Sequence, residues 1–349
     1  MSENNTLSAL IKEAQFKLRW FDLGRRLQPV SQATAEAFEA GQIPWPHPYL
    51  QHAWTGLLLW PEEGGEPVVW FLRLPLDERG KLQLPARDGL LRLLLQKLDK
   101  SGPSESASQL HAALEESGLQ FSPAPERRAS FHARAALLLK RPPSAHYEAT
   151  LAYCREPQSH RWEQLGIQGI ADLAARWEPE KNLLLRRLGE LAPPVFAGLC
   201  QCLENEAIDH QLVEKIIRRA RAALAEDPAD YTLVAAAVRG MSNSPAAGLR
   251  RDFLLDLLSS TAAASANTEV ITAIGSRCPQ DLEHGEIAAP WLAALSEHQR
   301  QETFNLLLAD LMYLPPARAS LLAALRDPSR PEALARAFGI FLHGPDPAH

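Results

Sequence analysis

The chain has 349 residues, 46% of them hydrophobic and 22% charged, with a formal net charge of −6. Such a composition belongs to a folded chain with cores of its own, and the length leaves room for two domains. The negative charge disfavours nucleic acid as the principal partner, because phosphate binding needs a positive field.

That charge is unevenly placed. Residues 1–140 carry 16 Lys+Arg against 16 Asp+Glu, so the whole acidic surplus lies beyond them. Arginine outnumbers lysine 28 to 8, which reads as the codon bias of a GC-rich bacterial genome rather than as a nucleic-acid-binding face. No apolar run approaches the ~18 residues of a membrane span. Lys12, Lys17 and Arg19 are scattered where a signal peptide would need an unbroken apolar core.

In chain order, Leu7, Leu10, Ile11 and Ala14 mark one face of a short helix. Phe16-Lys17-Leu18-Arg19-Trp20 then alternates apolar with basic, the pattern of a half-buried strand. Ser31 caps a helix that ends at Gly41. Ile43–Tyr49 holds three prolines and reads as an extended loop, since proline keeps its predecessor out of the helical region. Ala53–Trp60 and Val68–Leu76 form a hairpin, and Asp77–Gly80 turns the chain into a short strand at Lys81–Leu84. Trp70, Leu72 and Leu74 point one way and Val69 and Phe71 the other, so both faces of the sheet need cover. A leucine-rich helix at Asp88–Leu98 supplies one. Lys100–Ser108 is the first linker candidate and Gly118–Glu126 the second.

From about residue 127 the chain reads as one helix after another. The starts are Pro193-Pro194, Asp209, Asp227-Pro228, Ser244-Pro245, Asn267, Pro315-Pro316 and Pro331. Asp, Ser or Asn at an N-cap accepts a bond from a free N–H of the first turn, and proline just inside has no N–H to leave unpaired. Taken in pairs, these starts recur every ~35–40 residues, the range of helical repeats. The fold expected is therefore an α+β N-terminal domain over residues 1–100, a small antiparallel sheet with helices. An all-α helical-repeat solenoid, HEAT- or armadillo-like, follows over 104–342, with a flexible tail at 343–349.

Phe21-Asp22-Leu23-Gly24-Arg25-Arg26, Trp70–Asp77 and Trp162–Asp172 resemble, over the whole chain, an uncharacterised gammaproteobacterial family known as a domain of unknown function. That resemblance implies a bacterial cytoplasmic origin and supplies no activity, ligand or site residue.

Catalytic motifs are not found. Gly240-Met241-Ser242-Asn243-Ser244 lacks the closing glycine of a nucleophile elbow and follows a helix, so Gly240 reads as a helix C′ residue and Ser244 as the next N-cap. Asp281, Glu283, His284 and Glu286 crowd one loop without a spaced second pair of metal ligands and read as a solvated acidic loop. Cys200 and Cys202 diverge by about 200° around a helix. With Cys154 and Cys278 they read as buried free thiols in a reducing cytoplasm. No catalytic residue, metal or cofactor is expected.

Two surfaces suit a partner. On the helix Gln211–Ala225, Val213, Ile216, Ile217, Ala220 and Leu224 make the buried stripe, which leaves Lys215, Arg218, Arg219 and Arg221 on the outside. Trp45 and Tyr49 bring aromatic rings to the proline-rich loop. The reading is a non-catalytic cytoplasmic scaffold or adaptor that binds another, acidic protein. An enzyme whose site leaves no sequence trace and a helical-repeat nucleic-acid binder are the alternatives.

Overall fold

The computed structural model of the chain describes residues 6–63, 65–98, 112–158, 161–259 and 262–344. The chain divides into two units, Met1–Ala124 and Pro125–His349. The first reaches well past residue 100 because Ala113 and Leu114 are fully buried in its core. The backbone of 119–121 then bonds to Phe71 and Arg73. The helical unit accordingly begins at Pro125 and not at 104. The linker expected at Lys100–Ser108 and most of the expected tail fall outside the described residues.

In the first unit, α1 (Leu7–Glu13) leads into β1 (Phe16–Asp22), β2 (Gln28–Val30) and α2 (Gln32–Glu39). The hairpin β3 (His52–Pro61) and β4 (Val68–Pro75) follows, then α3 (Leu84–Leu98). The four strands form one antiparallel sheet in the order β2-β1-β3-β4. Thr6 and Ser31 cap α1 and α2 through their side-chain oxygens, and Gly41 takes the left-handed turn after α2 with φ 68°. The strand expected at Lys81–Leu84 reduces to a single bridge between Leu76 and Leu82, after which α3 starts at once. Trp20, Leu57, Trp70, Leu72 and Leu74 build the core with Leu7 and Ile11 of α1 and Leu90, Leu91 and Leu94 of α3.

The second unit is helical, and no strand occurs among its described residues. Its helices are α4 (Pro125–Leu138), α5 (Tyr147–Arg155), α6 (Ile167–Ala175), α7 (Lys181–Arg187) and α8 (Pro193–Leu203). After them come α9 (His210–Leu224), α10 (Tyr231–Met241), α11 (Ala247–Leu258) and α12 (Thr268–Arg277). The last four are α13 (Gly285–His298), α14 (Gln301–Leu311), α15 (Pro315–Arg326) and α16 (Glu332–His343). Helices two apart lie side by side. One row runs α4, α6, α8, α10, α12, α14, α16 and the other α5, α7, α9, α11, α13, α15. A single core of Ala, Leu, Ile, Val and aromatic side chains fills this unit.

The capping signals hold where the side chain is spent on the cap. Asp209 accepts the Leu212 N–H and Asn267 accepts those of Glu269 and Val270. Two starts differ. Asp230, not Asp227, caps α10 by accepting the Leu233 N–H. Ser244 does not cap α11, which opens at Ala247 with Ala246 as its N-cap; the Ser244 hydroxyl donates to the Ile208 carbonyl at 2.6 Å and accepts the Ala246 N–H at 3.1 Å. Gly240 lies inside α10 rather than after it, for a packing reason. A Cβ there would stand 2.8 Å from Cys200 Sγ and 3.1 Å from Cys200 Cα, so α8 and α10 approach too closely for a side chain. Gly240→Ala should therefore destabilise by about 1–3 kcal/mol through overpacking, read as a lower urea midpoint at unchanged slope.

Candidate functional site

On α9 the stripe comes out as the spacing predicts. Val213, Ile216, Ile217 and Ala220 are buried, while Leu224 packs partly buried against the core. Opposite them, Arg218 and Arg221 are exposed and Lys215 and Arg219 half-exposed. The four do not act as one group. Arg221 reaches across to Asp256 of α11 at 2.8 Å, both side chains being mostly in solvent, and its guanidinium lies 6.0 Å from the Phe253 ring. It thereby borders a hollow of about 300 Å³ shared with Tyr231 and Leu257. Lys215, Arg218 and Arg219 stand at i, i+3 and i+4, neighbours on the helix surface. Among the described residues none of the three has a carboxylate partner, and the Arg219 Nε is buried without an acceptor.

The aromatic loop behaves differently. Trp45 is 2% exposed: its ring packs on Phe38 at 4.8 Å, and its indole N–H donates to the buried Asp22 carboxylate at 3.0 Å. It is a core residue and presents no ring to a partner. Tyr49 stays half-buried, with the Arg25 guanidinium 5.4 Å from its ring centre and the Trp54 indole N–H donating to its carbonyl. Nearby, burial together with the Arg26 and Arg25 charges holds His47 down at about 4, so it is neutral at physiological pH.

Sequence reading missed the most heavily charged buried cluster. Glu204, the C-cap of α8, is 3% exposed and meets three guanidiniums. Arg127 of α4 lies at 2.9 Å, Arg239 of α10 at 3.0 Å and Arg277 of α12 at 3.3 Å. Arg239 and Arg277 sit in the last turns of their helices, where the macrodipole favours positive charge. Burial alone would push the Glu204 carboxyl up. The charges of Arg277, Arg239 and Arg127 outweigh it and hold the group at about 2. A carboxylate so firmly ionised neither gives nor takes a proton near neutrality. Its chemistry is to tie four helices together. The only signal in the chain was basic residues near helix ends, and spacing cannot say that they converge on one carboxylate.

Asp281 is likewise no solvated loop residue. It is 1% exposed and accepts a two-point contact from Arg250 of α11 at 2.6 and 2.9 Å, while Arg250 also donates to the Ser244 carbonyl. His284 instead faces Arg251 at 3.2 Å. Among the described residues no group of three His, Cys, Asp or Glu side chains could hold a metal, and no helix is long and apolar enough to cross a membrane. All four cysteines are buried free thiols; burial, then Glu180, pushes Cys154 up to about 12.

A second concave surface lies in the first unit. A groove of about 850 Å³ runs along β1, walled by Ser8, Ala9, Lys12 and Glu13 of α1 on one side and by Val30, Gln32 and Glu36 on another. Phe16, Lys17, Leu18, Arg19 and Trp20 make its floor.

No curated protein and no solved structure matches this chain. A family model described as "Protein of unknown function (DUF3549)" matches residues 2–342, nearly its whole length, and the chain belongs to that family.

Proposed function

We propose that this protein is a non-catalytic, cytoplasmic interaction scaffold that binds an acidic partner protein on a helical-repeat surface of the HEAT or armadillo type. The observation that carries this reading is the basic trio Lys215, Arg218 and Arg219 on α9, without a carboxylate partner among the described residues, within a unit whose overall charge is negative. Cations left without a local carboxylate are available to one brought by a partner, and arginine binds carboxylate in a planar, two-point fashion. The two rows of alternating helices support a repeat array, since stacked helix pairs extend a surface along their length. The buried free thiols fit a reducing compartment.

The test is a pull-down with the full chain and with Arg218→Glu/Arg219→Glu, from lysate treated with nuclease. Arg218→Glu alone, at an exposed position, should melt like the parent, within about 0.5 kcal/mol, and is the folding control for the double variant, since the Arg219 Nε is buried. Both variants should lose the captured protein. Unchanged recovery would return the trio to a merely solvating role, and recovery of nucleic acid in its place would favour the nucleic-acid alternative.

A further inference from the structure

The open edge of β1 carries a separate inference. β3 pairs with β1 along its whole length, from Phe16 opposite Pro61 to Asp22 opposite Thr55. β2 is three residues long and covers only Trp20–Asp22. Among the described residues, Phe16–Arg19 therefore has no strand on its second side. The direction of its backbone groups follows from two bonds at the ends of the β1–β3 ladder. The Leu23 N–H donates to the Trp54 carbonyl, and the Glu62 N–H donates to the Gln15 carbonyl. Odd-numbered residues of β1 thus bond to β3, and even-numbered ones face the other way. Trp20 and Asp22 serve β2 in this manner, with Pro29 set at a non-bonded position opposite Phe21. Phe16 and Leu18 turn their N–H and C=O groups into the groove, over a length of ~13 Å at about 3.4 Å per residue.

We infer that this groove takes an extended peptide segment from another protein as an added antiparallel strand, with apolar and acidic side chains in alternation. Peptides add to exposed sheet edges by main-chain bonds, and side-chain alternation supplies the specificity. On one face of β1 stand Phe16 and Leu18, half-buried beside Trp20; on the other stand Lys17 and Arg19, both exposed. Neither cation, nor Lys12 on the wall, has a carboxylate partner among the described residues, although Glu13, Glu36 and Glu62 also line the groove. A strand laid against β1 sets its own residues opposite these, so opposite charge is favoured at Lys17 and Arg19 and apolar contact at Phe16 and Leu18. A second copy of the chain is a poor occupant for the same reason. Antiparallel pairing of two β1 edges would bring Lys17 and Arg19 of each copy together, a charge device that blocks edge-to-edge association.

The site is remote in sequence and different in chemistry from the α9 trio, and it is tested without it. A fluorescein-labelled octapeptide alternating valine and glutamate is titrated into the full-length protein by fluorescence polarisation. Saturable binding is expected, weakened about tenfold or more by Lys17→Glu/Arg19→Glu and unchanged by Arg218→Glu/Arg219→Glu. N-methylation of the valine amides, which face Phe16 and Leu18, should abolish binding, whereas methylation of the glutamate amides should be tolerated. The inference is overturned by no binding, by equal binding of a valine–lysine peptide, or by indifference to the valine N-methyl groups. A stable dimer that the peptide dissociates would also overturn it, by giving the edge to a second copy.

Discussion

Glu204→Ala should lower the free energy of unfolding by about 3–5 kcal/mol, the scale set by breaking a buried ion pair from one side. The variant leaves Arg127, Arg239 and Arg277 facing one another without the carboxylate that draws α4, α8, α10 and α12 together. Glu204→Gln separates charge from size and gives the result its pH signature. The native carboxyl titrates at about 2, below its ordinary 4.5. Its stabilisation is therefore complete above about 4.5 and is lost as the pH falls towards 2. Urea midpoints of parent and Glu204→Gln should differ most near neutrality and converge as the solution is acidified through that window. A deficit of equal size at every pH would mean that shape, and not charge, is what Glu204 contributes.

Trp70→Ala should cost about 3–5 kcal/mol, the usual range for emptying a core site of a large aromatic ring. Trp70 is 6% exposed, lies opposite Leu57 across the β3–β4 ladder, and belongs to the core beneath the sheet. A hairpin apolar on both faces leaves its tryptophan little room to be a contact residue. The denaturant midpoint of the first unit's transition, followed by tryptophan fluorescence, should fall sharply. A midpoint like the parent's would remove Trp70 from the core.

These two sites mark where sequence reading works and where it stops. The strand of Trp70 was legible because alternation and burial are both local. Val68–Leu76 reads as a strand from its neighbours alone, and the structure bounds it at Val68–Pro75. The stripe on α9 was legible for the same reason at period 3.6, as were the caps at Asp209 and Asn267. Polar side chains also take partners that no local pattern names. Ser244 donates its hydroxyl to Ile208, 36 residues away, while accepting the Ala246 N–H, and Trp45 turns its indole inward to Asp22, so neither serves the role its local pattern suggested.

By itself the sequence determined the order of elements, the restriction of strands to the first unit and the apolar faces that must be buried, because each rests on periodicity, proline and capping within a turn or two. Only the tertiary structure decided which charges meet. Glu204 draws its arginines from positions 127, 239 and 277, and Asp281 takes Arg250. The open edge of β1 exists only because β2 stops after three residues. Such pairings are long-range, and their energies come from burial and convergence in space, which no local pattern encodes.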